Sequence, residues 1–303
     1  MFSASAGLHF MSHFRNQRTI ARSAVVQGFG YWCGQDVRVE FRPAQVGTGL
    51  VFVRDDLGPT ARLQVDPRRR IDVPRRTNLS SGPVRVDMVE HVLAALAGLQ
   101  IDNCEIGVNQ TEMPGCDGSA LKFVEALEAA GIVYQRAPAE LLEVTETVRL
   151  VAGEGWIEAR PSQQKCFSVE FHLDYPHDDA IGQQSFSIDV TPETFRSEIA
   201  PSRTFLLQKE ADEMLRLGLG RRVTSSDLLI FGEQGPIDNR LRFADECVRH
   251  KVLDVIGDMA LMGRQLIGRI VAHRSGHRLN AALATELVAR FGTVAPERER
   301  ILA

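Results

Sequence analysis

The feature that most constrains this chain is the helix predicted over residues 246–258, which read ECVRHKVLDVIGD. Apolar side chains cover most of its circumference, and a single line of polar groups interrupts them at every fourth position. That line consists of Glu246, His250, Asp254 and Asp258. An amphipathic surface helix would carry more than one polar row. We therefore interpret the row as a candidate site on a helix that packs inside the fold.

The composition describes an ordinary globular protein that is long enough for two domains. The chain has 303 residues, of which 44% are hydrophobic and 24% charged, and its net charge is −4. This charge gives no electrostatic footprint for nucleic acid, so we expect no nucleic-acid partner. The arginine clusters at 68–70 and 75–76 are interpreted as a solvated loop rather than a phosphate site. No apolar run approaches the roughly 18 residues that a transmembrane helix needs.

The cysteines and the amino terminus bear on the compartment. The five cysteines are odd in number, widely separated and never arranged as C-x-x-C. This pattern favours a reducing compartment and argues against disulfides and against a thiolate zinc site. Residues 1–23 contain three arginines and no acidic residue, which leaves two interpretations, an organellar transit peptide or a short extension before a start at Met11. The expected location is the cytoplasm.

Hydrophobic periodicity predicts an α+β fold in two successive parts. Each part has strands first and helices later, and the pattern breaks around residues 136–138, so we expect domains at 15–137 and 138–303. In the first part we predict strands over 36–44, 49–56 and 103–108 and helices over 86–99 and 119–131. In the second part we predict strands over 142–150, 155–161, 166–174, 184–190, 227–231 and 268–274 and helices over 210–218, 243–263 and 276–291.

His250 and Asp254 are the first candidates for metal binding. A spacing of four residues brings both side chains to one face of the helix, about one turn apart, where they can share an ion. A solvated His–Asp pair on a helix surface would have the same spacing, so the motif alone is weak. The apolar flanks of the helix favour the metal site over that alternative.

Glu90 and His91 form a second candidate, at the start of an apolar helical stretch. Adjacent residues of a helix point about 100° apart, so His91 can bind an ion while Glu90 reaches a water molecule on that ion. A hydrolase needs this separation between a ligand and a base. The alternative is structural, because an acidic residue at a helix N-terminus also stabilises the helix macrodipole.

His277 is a third candidate, in the junction Ser275-Gly276-His277 between a strand and the last helix. A histidine there can project into a cleft, and Asp258 could hold its second ring nitrogen in one tautomer. A surface histidine in a turn is the alternative. The histidines without comparable neighbours are His9, His13, His172, His177 and His273.

Three long segments resemble the zinc-dependent UDP-3-O-acyl-N-acetylglucosamine deacetylase family, whose members catalyse the committed step of lipid A synthesis. The family's first block is similar to VEHVLAALAGLQIDNCEIGV followed by CDGSA, its second to RFADECVRHKVLDVIGDMALMG and its third to SGHRLN. Order and spacing agree from about Gln17 to Leu287. The resemblance implies two related α+β domains whose sheets sandwich the helices, with the active site between the domains.

The resemblance also implies a catalytic metal site. Zinc would be held by His91, His250 and Asp254 with water in the fourth position, and Fe²⁺ suits the same ligands. Glu90 would be the general base that takes a proton from that water. Glu246, at the start of the helical row, would lie only at the rim of the cleft.

Three further residues complete the reaction that the resemblance implies. His277, cationic and oriented by Asp258, would stabilise the developing charge and protonate the amine leaving group. Thr204 matches the family threonine that donates to the tetrahedral oxyanion. A separate acid is needed because an N-acetyl amide has a poor leaving group.

The implied substrate is a UDP-linked acylated amino sugar, bound by a monomer. Lys251 resembles the lysine that meets the nucleotide diphosphate. Tyr175 stands where the family commonly has a phenylalanine that stacks on uracil, and an aromatic replacement keeps that platform. Phe205, which follows Thr204, is placed with them as a substrate contact.

Several positions depart from the family pattern. Trp32 replaces a histidine near the start, Met88 replaces a threonine, and Leu206 replaces a glycine. Gly155 stands where some relatives carry a lysine that contacts substrate. The departures concern substrate contacts, while every implied metal ligand is retained.

The largest departure is at residues 221–227, where the family has small residues that help form the acyl-chain passage. Here Arg221, Arg222 and Val223 would add bulk and two charges that an alkyl chain must desolvate or displace. We therefore expect a preference for shorter or more polar acyl groups than a long unbranched chain.

Three functions are compatible with these residues. The first is removal of acetate from the UDP-linked 3-O-acyl glucosamine, and the second is the same chemistry on another acyl length or another N-acetylated sugar. The third is a zinc-containing binding or regulatory protein without turnover. Glu90, His277 and Thr204 argue against the third, because a binding protein needs no base, acid or oxyanion donor.

Overall fold

The computed structural model describes residues 15–176 and 180–292. The strands up to residue 138 are β1 (Asn16–Ile20), β2 (Ala24–Phe29), β3 (Asp36–Pro43), β4 (Leu50–Arg54), β5 (Arg62–Gln64), β6 (Arg70–Ile71), β7 (Asn78–Ser81), β8 (Val84–Val86), β9 (Cys104–Val108) and β10 (Ile132–Pro138). The later strands are β11 (Leu141–Glu143), β12 (Val148–Ala152), β13 (Gly155–Arg160), β14 (Phe167–Asp174), β15 (Gln183–Asp189), β16 (Phe205–Leu207), β17 (Leu229–Gly232), β18 (Gly235–Pro236) and β19 (Gln265–His273). The α-helices are α1 (Glu90–Gly98), α2 (Leu121–Ala130), α3 (Pro192–Thr194), α4 (Gln208–Arg216), α5 (Glu246–Met259) and α6 (His277–Phe291).

A five-stranded sheet forms the first part of the fold. Its order is β2-β3-β9-β4-β5, and all neighbours are antiparallel except β4 and β9. In β3 the buried residues Val37, Val39 and Phe41 alternate with more exposed ones, so one face of the strand packs on the core. Strand β4, which reads LVFVR, is buried along its whole length, as expected for a strand covered on both faces.

A second sheet repeats this arrangement. Its order is β12-β13-β19-β14-β15, with β11 also paired to β19, and β14 and β19 are the parallel neighbours that correspond to β4 and β9. Strand β14 alternates in the same way as β3, with Val169, Phe171 and Leu173 on the buried face. The two sheets therefore share strand order and strand sense.

This shared topology supports a division of the chain into related halves. The first sheet takes its strands from residues 24–108 and the second from residues 141–273. Strand β1 pairs with β10, which ends at Pro138, so the boundary falls at the end of this strand. We propose that residues 15–137 and the chain from 138 onward are two copies of one α+β unit.

Four helices form a row of contacts that runs from the first sheet to the second. Helix α2 packs on β2, α1 packs against α2 and α5, and α5 and α6 pack on the second sheet through β14 and β12. The contact between α1 and α5 depends on Gly257, because a Cβ at this position would lie 2.1 Å from the carbonyl oxygen of Glu90. This close crossing brings the polar row of α5 next to the start of α1.

The boundaries of every predicted helix differ from the observed ones, most of all at α1 and α5. Helix α1 begins at Glu90 rather than at 86, because Val84–Val86 is a strand and Met88 has a φ of 58°. Helix α5 begins at Glu246 and ends at Met259, within the predicted 243–263. The strand predicted over 142–150 is divided between β11 and β12. Strands β1, β2, β5 to β8, β10, β16 and β18 were missed.

Other predictions concern the chain as a whole. The five cysteines are free thiols, as their spacing predicts. Within the described ranges, the longest apolar helices are too short or too polar to cross a membrane. The interpretation of the amino terminus rests mainly on residues 1–14, which lie outside the described residues together with His177.

Candidate active site

A cleft of about 1400 Å³ lies where the helices of the two parts meet. One group of lining residues is the polar cluster, which consists of Glu90, His91, His250, Asp254 and His277. A second group is the apolar wall, which consists of Leu206, Leu207, Met214, Leu215, Leu219, Val223 and Ile230. The cluster draws on α1, α5 and α6, so the structure brings together residues that are 187 positions apart in sequence, from 90 to 277.

Three members of the polar cluster can hold a metal ion. His91, His250 and Asp254 each offer one ligand atom, and these atoms lie within 4.8 Å of one another. The Nε2 atoms of His91 and His250 lie 3.9 and 3.4 Å from Asp254 Oδ1. Ligand bonds of about 2.0–2.2 Å to one ion are compatible with such separations.

The donor atoms themselves support an ion at this position. Asp254 Oδ1 is buried and accepts no hydrogen bond from the part of the chain that the structure describes. Such an oxygen is costly to bury, and a cation would compensate it. His250 Nδ1 lies 3.1 Å from the carbonyl oxygen of Ser202, so its proton belongs on Nδ1 and Nε2 is left as a ligand. The residues present therefore fit a divalent metal.

The protonation states suit the same role. Burial and the neighbouring His250 lower the pKa of His91 to about 3, and burial also lowers the pKa of His250. Both imidazoles are therefore neutral at pH 7, as metal ligands must be. Burial favours the neutral form of Asp254, but the positive charges of Lys251 and His277 hold its pKa well below the usual range. Lys251 Nζ donates to Asp254 Oδ2 over 2.6 Å.

Glu90 stands beside the metal group without belonging to it. It is the first residue of α1, and its Oε2 accepts a hydrogen bond of 2.9 Å from the backbone N–H of Thr77. Its Oε1 lies 3.9 Å from His277 Nε2. Burial raises the pKa of Glu90 to about 7, although the charge of His277 opposes this shift. A carboxylate with this pKa can both take up and release a proton near neutral pH.

His277 begins α6 and is held by a buried carboxylate. Its Nδ1 lies 2.9 Å from Asp258 Oδ2, which also accepts a hydrogen bond of 2.9 Å from Asn280 Nδ2. Burial favours the neutral imidazole, but Asp258 and Asp254 raise the pKa of His277 to about 9. The ring is therefore a cation at pH 7, and its Nε2 lies 3.8 Å from Asp254 Oδ2.

Comparison with known proteins agrees with this arrangement. A family described as UDP-3-O-acyl N-acetylglycosamine deacetylase has a sequence model that matches residues 17–289. The chain belongs to this family. Among its relatives are the UDP-3-O-acyl-N-acetylglucosamine deacetylases of Brucella ovis and Brucella canis, each 36% identical over 274 residues. The match covers 90% of this chain and 95% of each relative.

The other residues that the deacetylase family suggested lie around the same cluster. Thr204 lines the cleft, and its backbone is fixed by an N–H donated to Gly118 O over 2.7 Å. The ring of Phe205 meets the rings of His250 and Tyr175 edge to face, at centroid distances of 6.3 and 6.2 Å. Tyr175 and Phe205 therefore form an aromatic row that starts at a metal-ligand candidate.

We expected Glu246 at the rim of the cleft, but its side chain is fully buried. Its carboxylate accepts hydrogen bonds from the backbone N–H and from the guanidinium of Arg203, at 2.8–3.1 Å, and from the backbone N–H of Arg242. The pair fixes the loop that carries Thr204 onto the start of α5. The first residue of the polar row thus positions a wall of the cleft instead of facing it.

The departures from the family pattern have local explanations. Trp32 lines the cleft, and the guanidinium of Arg76 stacks on its ring at 4.1 Å. Met88 also lines the cleft. Its backbone has a left-handed conformation, and its N–H donates to Asn78 Oδ1 over 3.1 Å. At Gly155 a Cβ would lie 2.8 Å from a carbonyl oxygen of the neighbouring strand end, so a lysine would require the backbone to move.

The arginine cluster at 75–76 is partly solvated, as expected, and also borders the cleft. Arg75 lines the cleft and donates to Glu210 Oε1 over 2.8 Å, and Arg76 covers Trp32. In the other cluster Arg68 is exposed and pairs with Asp66, as predicted for a solvated position, whereas the side chain of Arg70 is only 10% exposed. Residues 72–75 line the cleft, a position that the local sequence does not reveal.

We expected Arg221 and Arg222 to obstruct the acyl passage, but neither is among the described residues that line the cleft. Arg222 Nη1 donates to Gly34 O and to Asp36 Oδ1, both over 2.8 Å, and the guanidinium stacks on Phe29. Of residues 221–223, only Val223 is among the described residues that line the cleft. Val223 therefore presents apolar surface to the cleft, and Arg222 directs its charge away from it.

Some residues of the site were missed from the sequence. Thr77 contacts both Glu90 and Asp258, Gly257 allows the helix crossing, and Ser202 fixes the tautomer of His250. Asn280 could have been found, because a spacing of three residues places it on the face of His277. Thr77 and Ser202 act from loops, where no periodicity marks them.

Proposed function

We propose that this chain hydrolyses the N-acetyl group of UDP-3-O-acyl-N-acetylglucosamine and releases acetate, as a step of lipid A biosynthesis. The observation that carries the proposal is the polar cluster, in which three metal ligands lie beside a carboxyl group and an imidazolium 3.9 Å apart. Family membership supplies the substrate class. The cluster supplies the groups that amide hydrolysis requires.

Zinc is the metal that we propose for His91, His250 and Asp254. A set of two imidazoles and one carboxylate that leaves a fourth position open is typical of catalytic zinc, and Fe²⁺ suits the same donors. When bound, the metal supplies a Lewis acid that polarises the amide carbonyl and makes water more acidic. The remaining steps belong to the side chains of the chain itself.

Glu90 and His277 divide the proton transfers between them. Glu90, ionised in a fraction of the molecules at pH 7, takes a proton from the attacking water. His277, protonated at the same pH, donates from Nε2 to the amine nitrogen as the C–N bond breaks. Asp258 keeps the Nδ1 side of this ring bonded, so that the donor nitrogen faces the cleft. Thr204 is the proposed donor to the oxyanion.

The substrate contacts follow from the cleft walls. We assign Lys251 to the diphosphate and the ring of Tyr175 to the uracil, with Phe205 between the aromatic platform and the metal group. The apolar wall fits the alkyl part of the acyl chain, because its side chains offer no group that an alkyl chain would have to desolvate. We therefore propose that the cleft accepts a long acyl chain, in place of the short or polar acyl group that we expected from the sequence.

Every group of the proposed reaction comes from one chain, which supports a monomeric enzyme. We also propose that it acts in the cytoplasm, where free thiols are stable. Light scattering of the purified protein gives the oligomeric state directly. A stable dimer that is required for turnover would contradict this part of the proposal.

The test of the function is acetate release by the purified full-length chain. UDP-3-O-acyl-N-acetylglucosamine, with acyl chains of graded length, is compared with UDP-N-acetylglucosamine, and zinc and iron are measured on the same sample. Turnover of the acylated nucleotide sugar is the expected result. Turnover only of another N-acetylated sugar would favour a divergent substrate, and bound metal without any turnover would favour a binding protein.

A further inference from the structure

Thr77 occupies the position between the two proton-transferring groups of the cluster. It is fully buried and immediately precedes β7. Its hydroxyl donates to Asp258 Oδ1 over 2.6 Å, and its backbone N–H donates to Glu90 Oε2 over 2.9 Å. Its carbonyl oxygen accepts a hydrogen bond of 3.0 Å from the N–H of Val89. Thr77 thus contacts the base Glu90 directly and the acid His277 through the carboxylate of Asp258.

The hydroxyl arm completes the partners of Asp258. Oδ2 of this carboxylate receives His277 and Asn280, and Oδ1 receives Thr77. Asp258 is fully buried, and these hydrogen bonds give both of its oxygens a partner. A carboxylate that is fixed at both oxygens can rotate little, and the imidazole bonded to it is fixed in turn.

The backbone arm fixes Glu90 from the same residue. Because Val89 is the N-cap of α1, the bond from Val89 N–H to Thr77 O ties the start of the helix to the same peptide segment that bonds the carboxylate. Asn78, the next residue, accepts from the N–H of Met88. Residues 77 and 78 therefore determine where the base stands relative to Asp258.

We propose that Thr77 is a positioning residue that couples the base Glu90 to the Asp258–His277 pair. It is not among the described residues that line the cleft, so it acts through these groups and not on the substrate. The inference rests on the proposed deacetylation, because only turnover requires both groups in one arrangement. Loss of the hydroxyl should lower kcat and leave substrate binding and metal content unchanged.

The experiment removes the hydroxyl and keeps the backbone N–H. Thr77→Val preserves the shape of the side chain, Thr77→Ala is the second variant in case valine crowds the site, and Thr77→Ser restores the donor. We expect valine and alanine to lower kcat roughly 10- to 100-fold, as for other residues that orient a reacting group. KM and metal per chain should remain those of the wild type, and serine should retain most of the activity.

A buried threonine outside the site provides the matched control. Thr19 is almost fully buried, and its hydroxyl accepts from the N–H of Ala44 over 3.1 Å. Thr19→Val should change the thermal midpoint about as much as Thr77→Val, without the loss of kcat. A loss of kcat equal in both variants would show that the effect is one of general stability and would overturn the proposal.

A double-mutant cycle tests the route of the coupling. If Thr77 acts through Asp258, then Thr77→Val should cost much less in an Asp258→Asn background than in the wild type. The same factor in both backgrounds, or wild-type kcat in both the valine and the alanine variants, would overturn the role of Thr77. An inactive wild type would instead overturn the proposed function, so the two failures are distinguishable.

Discussion

The polar cluster and the apolar wall share one cleft but are built in different ways. The cluster and its supporting residues come from α1, α5, α6 and the loop before β7, and Glu90, His250 and Asp258 are at most 4% exposed. The apolar wall comes from a single segment, residues 206–230, and its Leu215 is 52% exposed. One surface depends on the whole fold, and the other depends on a short stretch of chain.

This difference explains why the largest departure from the family, at residues 221–227, lies in the segment that carries the wall. Strands β16 and β17, which are separated in sequence by α4, pair with each other. The segment that carries the wall therefore forms its strand contacts within itself. Substitutions there, such as Leu206 and residues 221–227, leave the contacts of the cluster unchanged. A substitution in the cluster would instead leave a buried charge without its partner, which is among the most costly changes in a protein.

Loss of a metal ligand should have the largest effect. Replacing His91, His250 or Asp254 with alanine is expected to remove the metal and nearly all activity, since three protein ligands leave no redundancy. Metal analysis of each purified variant, beside acetate release, measures both effects. Full metal occupancy in all three variants would show that the ligands have been assigned wrongly.

Loss of the base should separate turnover from metal binding. We expect Glu90→Ala to keep its metal and to lose turnover by roughly 10²–10⁴-fold, the range for a positioned base. Glu90→Gln, which retains the shape and the hydrogen bond from Thr77, should be similarly inactive. An unchanged kcat in either variant would exclude Glu90 as the base.

Loss of the acid should be as large, and loss of its carboxylate partner smaller. His277→Ala is expected to lower kcat by roughly 10²–10⁴-fold. Asp258→Asn should lower it less, by about 10- to 100-fold, because the ring remains but its charge and orientation change. The link between the two residues would be wrong if Asp258→Asn were fully active while His277→Ala was inactive.

The pH profile should be bell-shaped, with one limb from each group. Activity should rise as Glu90 loses its proton, around a pKa of about 7, and fall as His277 loses its proton, around a pKa of about 9. A bound cation would shift both limbs to lower pH, because its charge disfavours added protons. The residual activity of His277→Ala should lack the alkaline limb, and an unchanged limb in that variant would assign it to another group.

The smallest effects should come from the wall and its surroundings. Leu219→Asp is expected to lower kcat/KM for long-chain substrates by roughly tenfold, since a charge must be desolvated beside the alkyl chain, with metal content unchanged. Arg222→Ala is the matched control and should change kcat/KM by less than about twofold, because this side chain faces Gly34 and Asp36. A chain-length preference that follows Arg222 and not Leu219 would reverse the comparison.

The sequence predicted the residues of the cluster better than the contacts that hold them. The four-residue spacing of His250, Asp254 and Asp258 determines their common face, since helical geometry is local. The partner of Glu246 could not be found in this way, because Arg203 lies 43 positions earlier and only tertiary packing brings them together. The same limit applies to Thr77, which meets Asp258 across 181 positions.

The fold was predictable to a similar depth. Long periodic segments such as α6 and β14 were found, because each has a full buried face. Strands of two to four residues, such as β6 and β7, are too short to show a period, and they form because neighbouring strands bond to them. The direction of the Arg222 side chain was misjudged, because its partners Gly34 and Asp36 are distant in sequence.

The crossing of α1 and α5 at Gly257 has a mechanical consequence for this site. Elsewhere in a core, an added methyl group can be accommodated by the rotation of a neighbouring side chain. At residue 257 the neighbour is the carbonyl of Glu90, so an added methyl group would displace a whole helix. The spacing between the base and the ligands on α5 is therefore a property of the main chain, and it tolerates less thermal fluctuation than a contact between rotatable groups.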